Sequence, residues 1–417
     1  MRRSVVLGLA VVLTAGGVTI QVASIASAAE ACAAAWSPSQ VYVGGNVASQ
    51  NSHNYRAKWW SQNESPATHS GQWDVWADQG VCGGGTTPPT TPPPSDPPPS
   101  NPPPSDPPPT NPGGPLPAHF LTGYWHNFDN PATEIRLRDV PAAYDLVAVA
   151  FAEATGTPGA VTFGIDPGLS AALGGYTNAN FKADVATLHS RGKKVILSVG
   201  GERGSISVND GAAANNFAST VTALIREFGF DGVDIDLENG VNPTYMAQAL
   251  RSIHGAVTPK PIITMAPQTI DMQNPAGSYF RLALNIKDIL TVVHTQYYNS
   301  GSMLGCDKNQ AYSQGTVNFI VALACIPLEG PASETLRPDQ ISLGLPASSG
   351  AAGGGYVSPS VVNQALTCLT RGTNCGSFKP PRTYPGLRGA MTWSVNWDVT
   401  NNNGFANTVR PHLNTLP

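Results

Sequence analysis

The sequence predicts an α/β protein whose main body is a closed (β/α)8 TIM barrel, and three observations carry that expectation. Roughly 300 residues follow a proline-rich break, the size of one such barrel. Eight short apolar runs lie in that stretch, and helical periodicity fills several gaps between them, which favours a closed barrel over a doubly wound sheet. The fourth run, FDGVDIDLE, ends in acids, as a strand does when it delivers reactive groups to one end of a barrel.

The chain opens on an export signal. Arg2 and Arg3 precede the apolar run Val5 to Ala15, and Ala26, Ser27, Ala28 and Ala29 offer a small-residue cleavage site. Gly16 and Gly17 interrupt the run and no stop-transfer charges follow, so residues 1–29 read as a removable signal peptide. No later segment approaches the run of about 18 apolar residues that a membrane span needs. The expected location is secreted and extracellular. All six cysteines, Cys32, Cys82, Cys306, Cys325, Cys368 and Cys375, lie beyond the signal, and an even count in an oxidising compartment predicts three disulfides. Chain order favours Cys32–Cys82, Cys306–Cys325 and Cys368–Cys375, although it cannot prove the last two pairs. None has CxxC spacing and the eight histidines are scattered, so neither a metal nor a cofactor is expected.

Residues 30–82 read as a small module, too short for a large core and helped by a disulfide. It holds Trp36, Tyr42, Tyr55, Trp59, Trp60, Trp73 and Trp76. So small a core cannot bury all these rings, and exposed indoles give a rigid contact surface at little entropic cost. Trp59 and Trp60 are adjacent, so on a strand one would pack and the other would face outward. Residues 83–118 read as a spacer. PPPSD, PPPSN, PPPSD and PPPTN follow one another from Pro92 to Asn111, and triple prolines favour polyproline II. At roughly 3.1 Å per residue, such a spacer holds two domains up to about 90–100 Å apart.

In the domain 119–417 the expected strands are Phe120–Trp125, Leu146–Ala152, Lys193–Val199, Phe230–Leu237, Pro261–Ala266, Val292–Tyr298, Gln340–Leu345 and Leu387–Ser394. Helical patterns lie at Asn180–Ser190, Ala212–Glu227 and Pro243–Val257, and Gly229 reads as a helix stop before strand four. The last third is loop-rich. In such barrels the carboxyl ends of the strands share one rim. That rim would gather Tyr124 and Trp125, the glycines of Ser198–Gly201, Glu238, then Met265, Pro267 and Gln268, then Gln296, Tyr297, Tyr298 and Asn299, and finally Trp393. Aromatic rings there suit sugar faces, amides and hydroxyls suit their substituents, and glycine lets backbone approach a ligand.

Along strand four, Val233, Ile235 and Leu237 alternate with Asp234, Asp236 and Glu238. One face is apolar; the other carries three carboxylates. Desolvation and like charge both oppose ionising that face. A solvated edge strand would not need so complete an apolar side, and the EF-hand spacing is absent. The segment reads as an active-site strand, in which one carboxylate raises the pKa of a neighbouring proton donor.

Ordered motifs then carry two resemblances. AWSPSQVYVGG, YRAKWW and GQW resemble the small chitin-binding modules of bacterial chitinases, whose hallmark is an AKWW-type core. That resemblance implies a small β-structure adhering to chitin, with Trp36, Tyr42, Tyr55, Trp59, Trp60 and Trp73 as candidate contacts. The large domain resembles glycoside hydrolase family 18. Its DxxDxDxE signature is complete as Asp231, Asp234, Asp236 and Glu238, and its SxGG motif is Ser198–Gly201. QYYN at 296–299 resembles the strand-six motif of some members, and Trp393 matches the strand-eight tryptophan beneath the −1 sugar.

The family resemblance implies a retaining chitinase. Glu238 would protonate the glycosidic oxygen and later serve as base, while the substrate's own N-acetyl oxygen attacks C1 in place of a protein carboxylate. Asp236 would orient the acetamido nitrogen and stabilise its growing positive charge. Asp234 would share a proton or hydrogen bond with Asp236, and Tyr298 would hold the acetamido oxygen. Asp231 would be structural. Tyr124, Gly201, Met265, Gln268, Gln296, Asn299 and Trp393 complete the candidate substrate contacts. Residues 346–386 alone separate strands seven and eight, short for the α+β insertion of deep-tunnel members, so an open groove and endo cleavage are expected.

The expected partners are chitin and chito-oligosaccharides. A net charge of -4 with 12% charged residues offers no basic stripe for nucleic acid, and nothing demands more than a monomer. Two rivals remain: an endo-β-N-acetylglucosaminidase acting on N-glycans, and a chitin-binding lectin with a silent barrel. The chitin-type module argues against the first, and Glu238 against the second.

Overall fold

The computed structural model describes residues 31–42, 45–58, 61–71, 74–83 and 114–417. The expected signal peptide, nearly all of the spacer, and Trp59, Trp60 and Trp73 lie outside them. The chain divides into two compact units, Met1–Pro102 and Pro103–Pro417.

In the first unit β1 (Val41–Tyr42) pairs with β4 (Ser61–Gln62), while β2 (Val47–Gln50), β3 (His53–Ala57) and β5 (Trp76–Val81) form an antiparallel sheet in the order β2-β3-β5. Cys32 and Cys82 are joined. Tyr42 and Tyr55, expected as polymer contacts, are instead core residues, 3% and 6% exposed. They pack with Ala48, Ala57, Val75 and Trp76, and the Tyr42 ring meets Trp76 edge-on at 5.0 Å. The reason is scarcity: this short sequence offers few other large apolar groups from which to build an interior. Trp36 packs half-buried at the margin.

The second unit is a closed parallel barrel. Its strands are β6 (Phe120–His126), β7 (Leu146–Ala154), β9 (Lys194–Gly200), β10 (Gly232–Asp236), β11 (Ile262–Met265), β12 (Val292–Gln296), β15 (Ile341–Pro346) and β16 (Gly389–Trp393). Each pairs in parallel with the next, and the pairs β16–β6 and β6–β7 close the ring. The short β8 (Val161–Thr162) adds antiparallel to β7, and β13 (Ser302–Leu304) and β14 (Ala311–Ser313) form a hairpin beyond β12. Every strand matches an expected run to within a few residues. Strand four starts two positions late and stops one early, at Asp236, because the Leu237 N–H is taken by the Tyr279 hydroxyl at 2.5 Å rather than by a neighbouring strand.

The helices are α1 (Pro167–Ala172), α2 (Asn178–Ser190), α3 (Gly211–Phe228), α4 (Pro243–Ala256), α5 (Ser278–Asn285), α6 (Val317–Ala324), α7 (Pro359–Arg371), α8 (Val395–Thr400) and α9 (Gly404–Leu413). Local chemistry sets their ends. Asp210 caps α3 by accepting from the Ala213 N–H, and Gly229 ends it in the left-handed region at φ 77°. Asn242 caps α4 and Pro243 starts it. The other two disulfides, Cys306–Cys325 and Cys368–Cys375, hold loops beside α6 and α7.

Period-2 alternation divides the strands between two cores. Val233, Ile235, Ile263, Met265 and Val293 face the helices, whereas Tyr124, Ala148, Ala150, Ile196, Ala266 and Met391 pack inside the barrel. The expectation for Met265 is thereby corrected. Its neighbour Thr264 points inward to Asp234, so Met265, fully buried, points outward and cannot touch a ligand on the rim. No helix among the described residues is long and apolar enough to cross a membrane.

Candidate active site

The inward side of β10 builds the site. Asp234 lies deepest, fully buried, and accepts three hydroxyl hydrogen bonds: from Tyr124 at 2.7 Å, Ser198 at 2.7 Å and Thr264 at 2.6 Å. Burial raises its pKa, and these three donors pull it back. Two residues on, Asp236 has far less help. Its Oδ1 accepts from the Gln296 amide at 2.9 Å. Burial, then the charges of Asp234 and Glu238, push its carboxyl well above the usual range. Asp234 thus has three hydroxyl donors to stabilise its charge where Asp236 has one amide.

Glu238 stands just past the strand end, half-buried. Burial raises its pKa, the Gln296 and Gln268 amides oppose that, and the charges of Glu202 and Asp271 add to it. The Gln268 contact is a long 3.4 Å. All three carboxyls are thus held above their ordinary range, Asp236 well above it, and the outermost acid is open to a ligand. Tyr298 projects beside this row, and burial with the Asp236 and Glu238 charges keeps its phenol neutral. Its hydroxyl makes no hydrogen bond to any described residue, so it is available as a donor.

Aromatic rings form the opposite wall. Trp393 lies near-parallel to Phe151 at 5.9 Å and to Phe128 at 6.4 Å, and tilts over His126 at 4.9 Å and Tyr124 at 5.7 Å. Phe128, Phe151 and Trp393 are all half-buried and offer a continuous apolar platform. A cavity of about 670 Å³ opens between residues 203–209 and 239–243. It reaches the carboxylate row only through Leu237 and Asn239, so it flanks the site without containing it.

Several expected contacts have other duties. Tyr124 is 1% exposed, and its hydroxyl is committed to Asp234. Gly201 serves protein neighbours: its N–H donates to the Asp236 carbonyl at 2.7 Å, and a Cβ there would meet the Phe151 ring at 2.5 Å. Gly200, at φ 128°, has no room either, with the Asp236 carbonyl oxygen 2.2 Å from a Cβ. Glycine at this step lets β9 close on β10 and sets the height of Asp236. Asn299 is exposed and fastens the 350–355 loop, its side chain accepting from the Gly354 N–H at 3.0 Å. Asp231 lies at the opposite end of β10, bound by His189 at 2.7 Å, the Val195 N–H at 2.7 Å and Lys194 at 3.2 Å.

Sequence reasoning missed Phe128, Phe151, His126, Thr264 and Tyr279. Phe151 was within reach, because the aromatic-at-a-strand-end rule that selected Trp125 applies to it equally. Tyr279 was not. It comes from α5, and its hydroxyl meets backbone on either side of Asp236, accepting from the Leu237 N–H at 2.5 Å and lying within donor reach of the Leu237 carbonyl at 3.2 Å and the Ile235 carbonyl at 3.5 Å.

Residues 121–355 match the model of glycosyl hydrolases family 18. Chitinase D of Niallia circulans is 39% identical over 341 residues, covering 73% of this chain and 63% of that protein. Exochitinase 1 of Streptomyces olivaceoviridis is 36% identical over 324 residues, covering 68% of this chain and 54% of that protein. The chain thus spans less than two thirds of either relative. Among solved structures, a candidate chitinase A from Streptomyces coelicolor is 64% identical, with a TM-score of 0.69, covering 72% of this chain and 99% of that one.

Proposed function

Because this chain belongs to glycosyl hydrolases family 18, we propose that it is a secreted, endo-acting chitinase that cleaves β-1,4-linked N-acetylglucosamine with retention. The observation that carries this reading is the row Asp234, Asp236 and Glu238, all with raised pKa, facing an unpaired Tyr298 hydroxyl. Glu238, with its raised pKa, protonates the leaving oxygen. The acetamido oxygen then attacks C1, held there by Tyr298. As the acetamido nitrogen becomes positive, Asp236 yields its proton to the Asp234 side and meets that charge as an anion. Trp393, Phe151 and Phe128 support the sugar that reacts and its neighbours.

Endo attack follows from the open rim. Between β15 and β16 the described chain contains one helix, α7, and no strand. The similarity to a protein named exochitinase makes product size the informative readout. In the first unit, the chitin-binding reading now rests on Trp36, Trp59, Trp60 and Trp73, since Tyr42 and Tyr55 are interior. The domain limits 30–82, 83–118 and 119–417 are part of the same proposal.

The test is product release from colloidal chitin and from a chito-oligosaccharide, resolved by size and anomer. Mixed oligomers appearing first as β-anomers are expected. Release of only dimers from chain ends would overturn endo action, α-anomers would overturn retention, and cleavage of glycoproteins alone would replace the substrate.

The pH profile gives a second test. Glu238 acts while protonated, so whatever raises its pKa extends activity to higher pH. Glu202→Gln removes a raising charge and should move the alkaline limb of kcat/KM to lower pH. Gln268→Ala removes a lowering hydrogen bond and should move it the other way. A limb that ignores both changes belongs to another group.

A further inference from the structure

Below the carboxylates, the barrel interior holds polar groups that the reaction does not use. His294 on β12, Thr122 on β6 and Ser342 on β15 are fully buried. No described residue hydrogen-bonds either His294 ring nitrogen, the Thr122 hydroxyl or the Ser342 hydroxyl. All three face inward by strand parity. Thr122 lies between the inward Phe120 and Tyr124, and His294 between the inward Val292 and Gln296. Ser342 is two residues from Gly344, whose absent side chain would meet the inward Met391 methyl at 2.7 Å. His294 and Ser342 are register partners on adjacent strands.

Their height in the barrel follows from the site above. Gln296 bonds Asp236 directly at 2.9 Å. Each residue two steps earlier lies about 6.6 Å deeper, so His294 occupies the level of Asp234. Thr264, which donates to Asp234, comes from the same interior. Burial alone drives the His294 pKa down to about 3, so its ring is neutral, with one donor and one acceptor nitrogen.

Four unpaired polar atoms on three strands, facing one interior, are what bound water requires, since an internal water takes two to four polar partners whereas a purely apolar hole stays dry. We propose that His294, Thr122 and Ser342 form an internal water-binding site in the barrel core, level with Asp234. The ligand is one or more ordered water molecules, hydrogen-bonded to the imidazole and to the two hydroxyls. The site continues the polar column beneath the carboxylates.

Two conservative variants decide its sign. Thr122→Val and Ser342→Ala each delete one hydroxyl while nearly preserving shape. In a dry core that hydroxyl is an uncompensated cost, so its removal would raise Tm. In a hydrated core the removal strips a water of a partner, so each variant of the full chain should lower Tm by about 2 °C or more. A crystal structure of the wild type should show density at hydrogen-bond distance from a His294 ring nitrogen and from Thr122 or Ser342. Dry density there, or a raised or unchanged Tm in both variants, overturns the proposal; density decides if the variants disagree.

Discussion

Glu238→Gln should reduce kcat on chito-oligosaccharides by about 10²–10⁴-fold, the range lost when a positioned general acid is removed, and leave the fold intact. Glutamine keeps the shape and both flanking amide neighbours, Gln268 and Gln296, but has no proton of suitable acidity to give. The residue is half-buried and sits beyond the last paired position of β10, so no strand hydrogen bond depends on its side chain. Circular dichroism, Tm and chitin adsorption should therefore match the wild type while turnover collapses. KM should change little, because the lost interaction forms as the bond breaks. A variant with near-normal kcat would remove Glu238 from the role of acid and leave the site without a proton donor at the right height.

The barrel was legible because its strands are buried on both faces and read as short apolar runs between helix signals, as KVILSVG does at β9. The carboxylate row was legible for a different reason: strand parity alone puts Asp234, Asp236 and Glu238 on one side. Parity could also have corrected Met265, since Thr264 and Ala266 are the inward members of that strand. What sequence could not give was the allocation of neighbours around the ring. Tyr124 looks like a rim aromatic until β6 is placed close enough to β10 for its hydroxyl to reach Asp234. Gly200 and Gly201 look like ligand glycines until Asp236 and Phe151 are found against them. In the small unit, the count of rings predicted that some must be outside but carried no information about which. Tyr55 went inside because it shares its strand face with the buried Ala57, and Tyr42 because its ring packs edge-on against Trp76.

Asp236→Asn should separate catalysis from stability. Asparagine imitates the protonated aspartic acid that burial favours at this position, and its amide oxygen can still accept from Gln296. It cannot become an anion. If Asp236 meets the positive charge that develops on the acetamido nitrogen, kcat should fall by about 10²–10³-fold, the loss typical of one preorganised electrostatic partner. The stability effect has the opposite sign. In the unfolded chain an aspartate titrates near about 3.9, whereas in the fold this carboxyl titrates well above that value. Between the two values the folded state binds the extra proton, so wild-type stability is fully present below the unfolded pKa and falls as pH rises toward the folded one. The asparagine variant has no such loss. Its Tm should equal or exceed that of the wild type, and the gap should widen as pH increases from the ordinary carboxylate range upward. A variant that is slower but loses stability in parallel with the wild type across that range would mean Asp236 is already ionised in the resting protein, and the proton would have to be assigned to Asp234. A variant that turns over normally would mean that no charge is needed at this position at all. The predicted combination, a slower enzyme that is harder to unfold at higher pH, arises only if the carboxyl is buried for the charge it carries in the transition state.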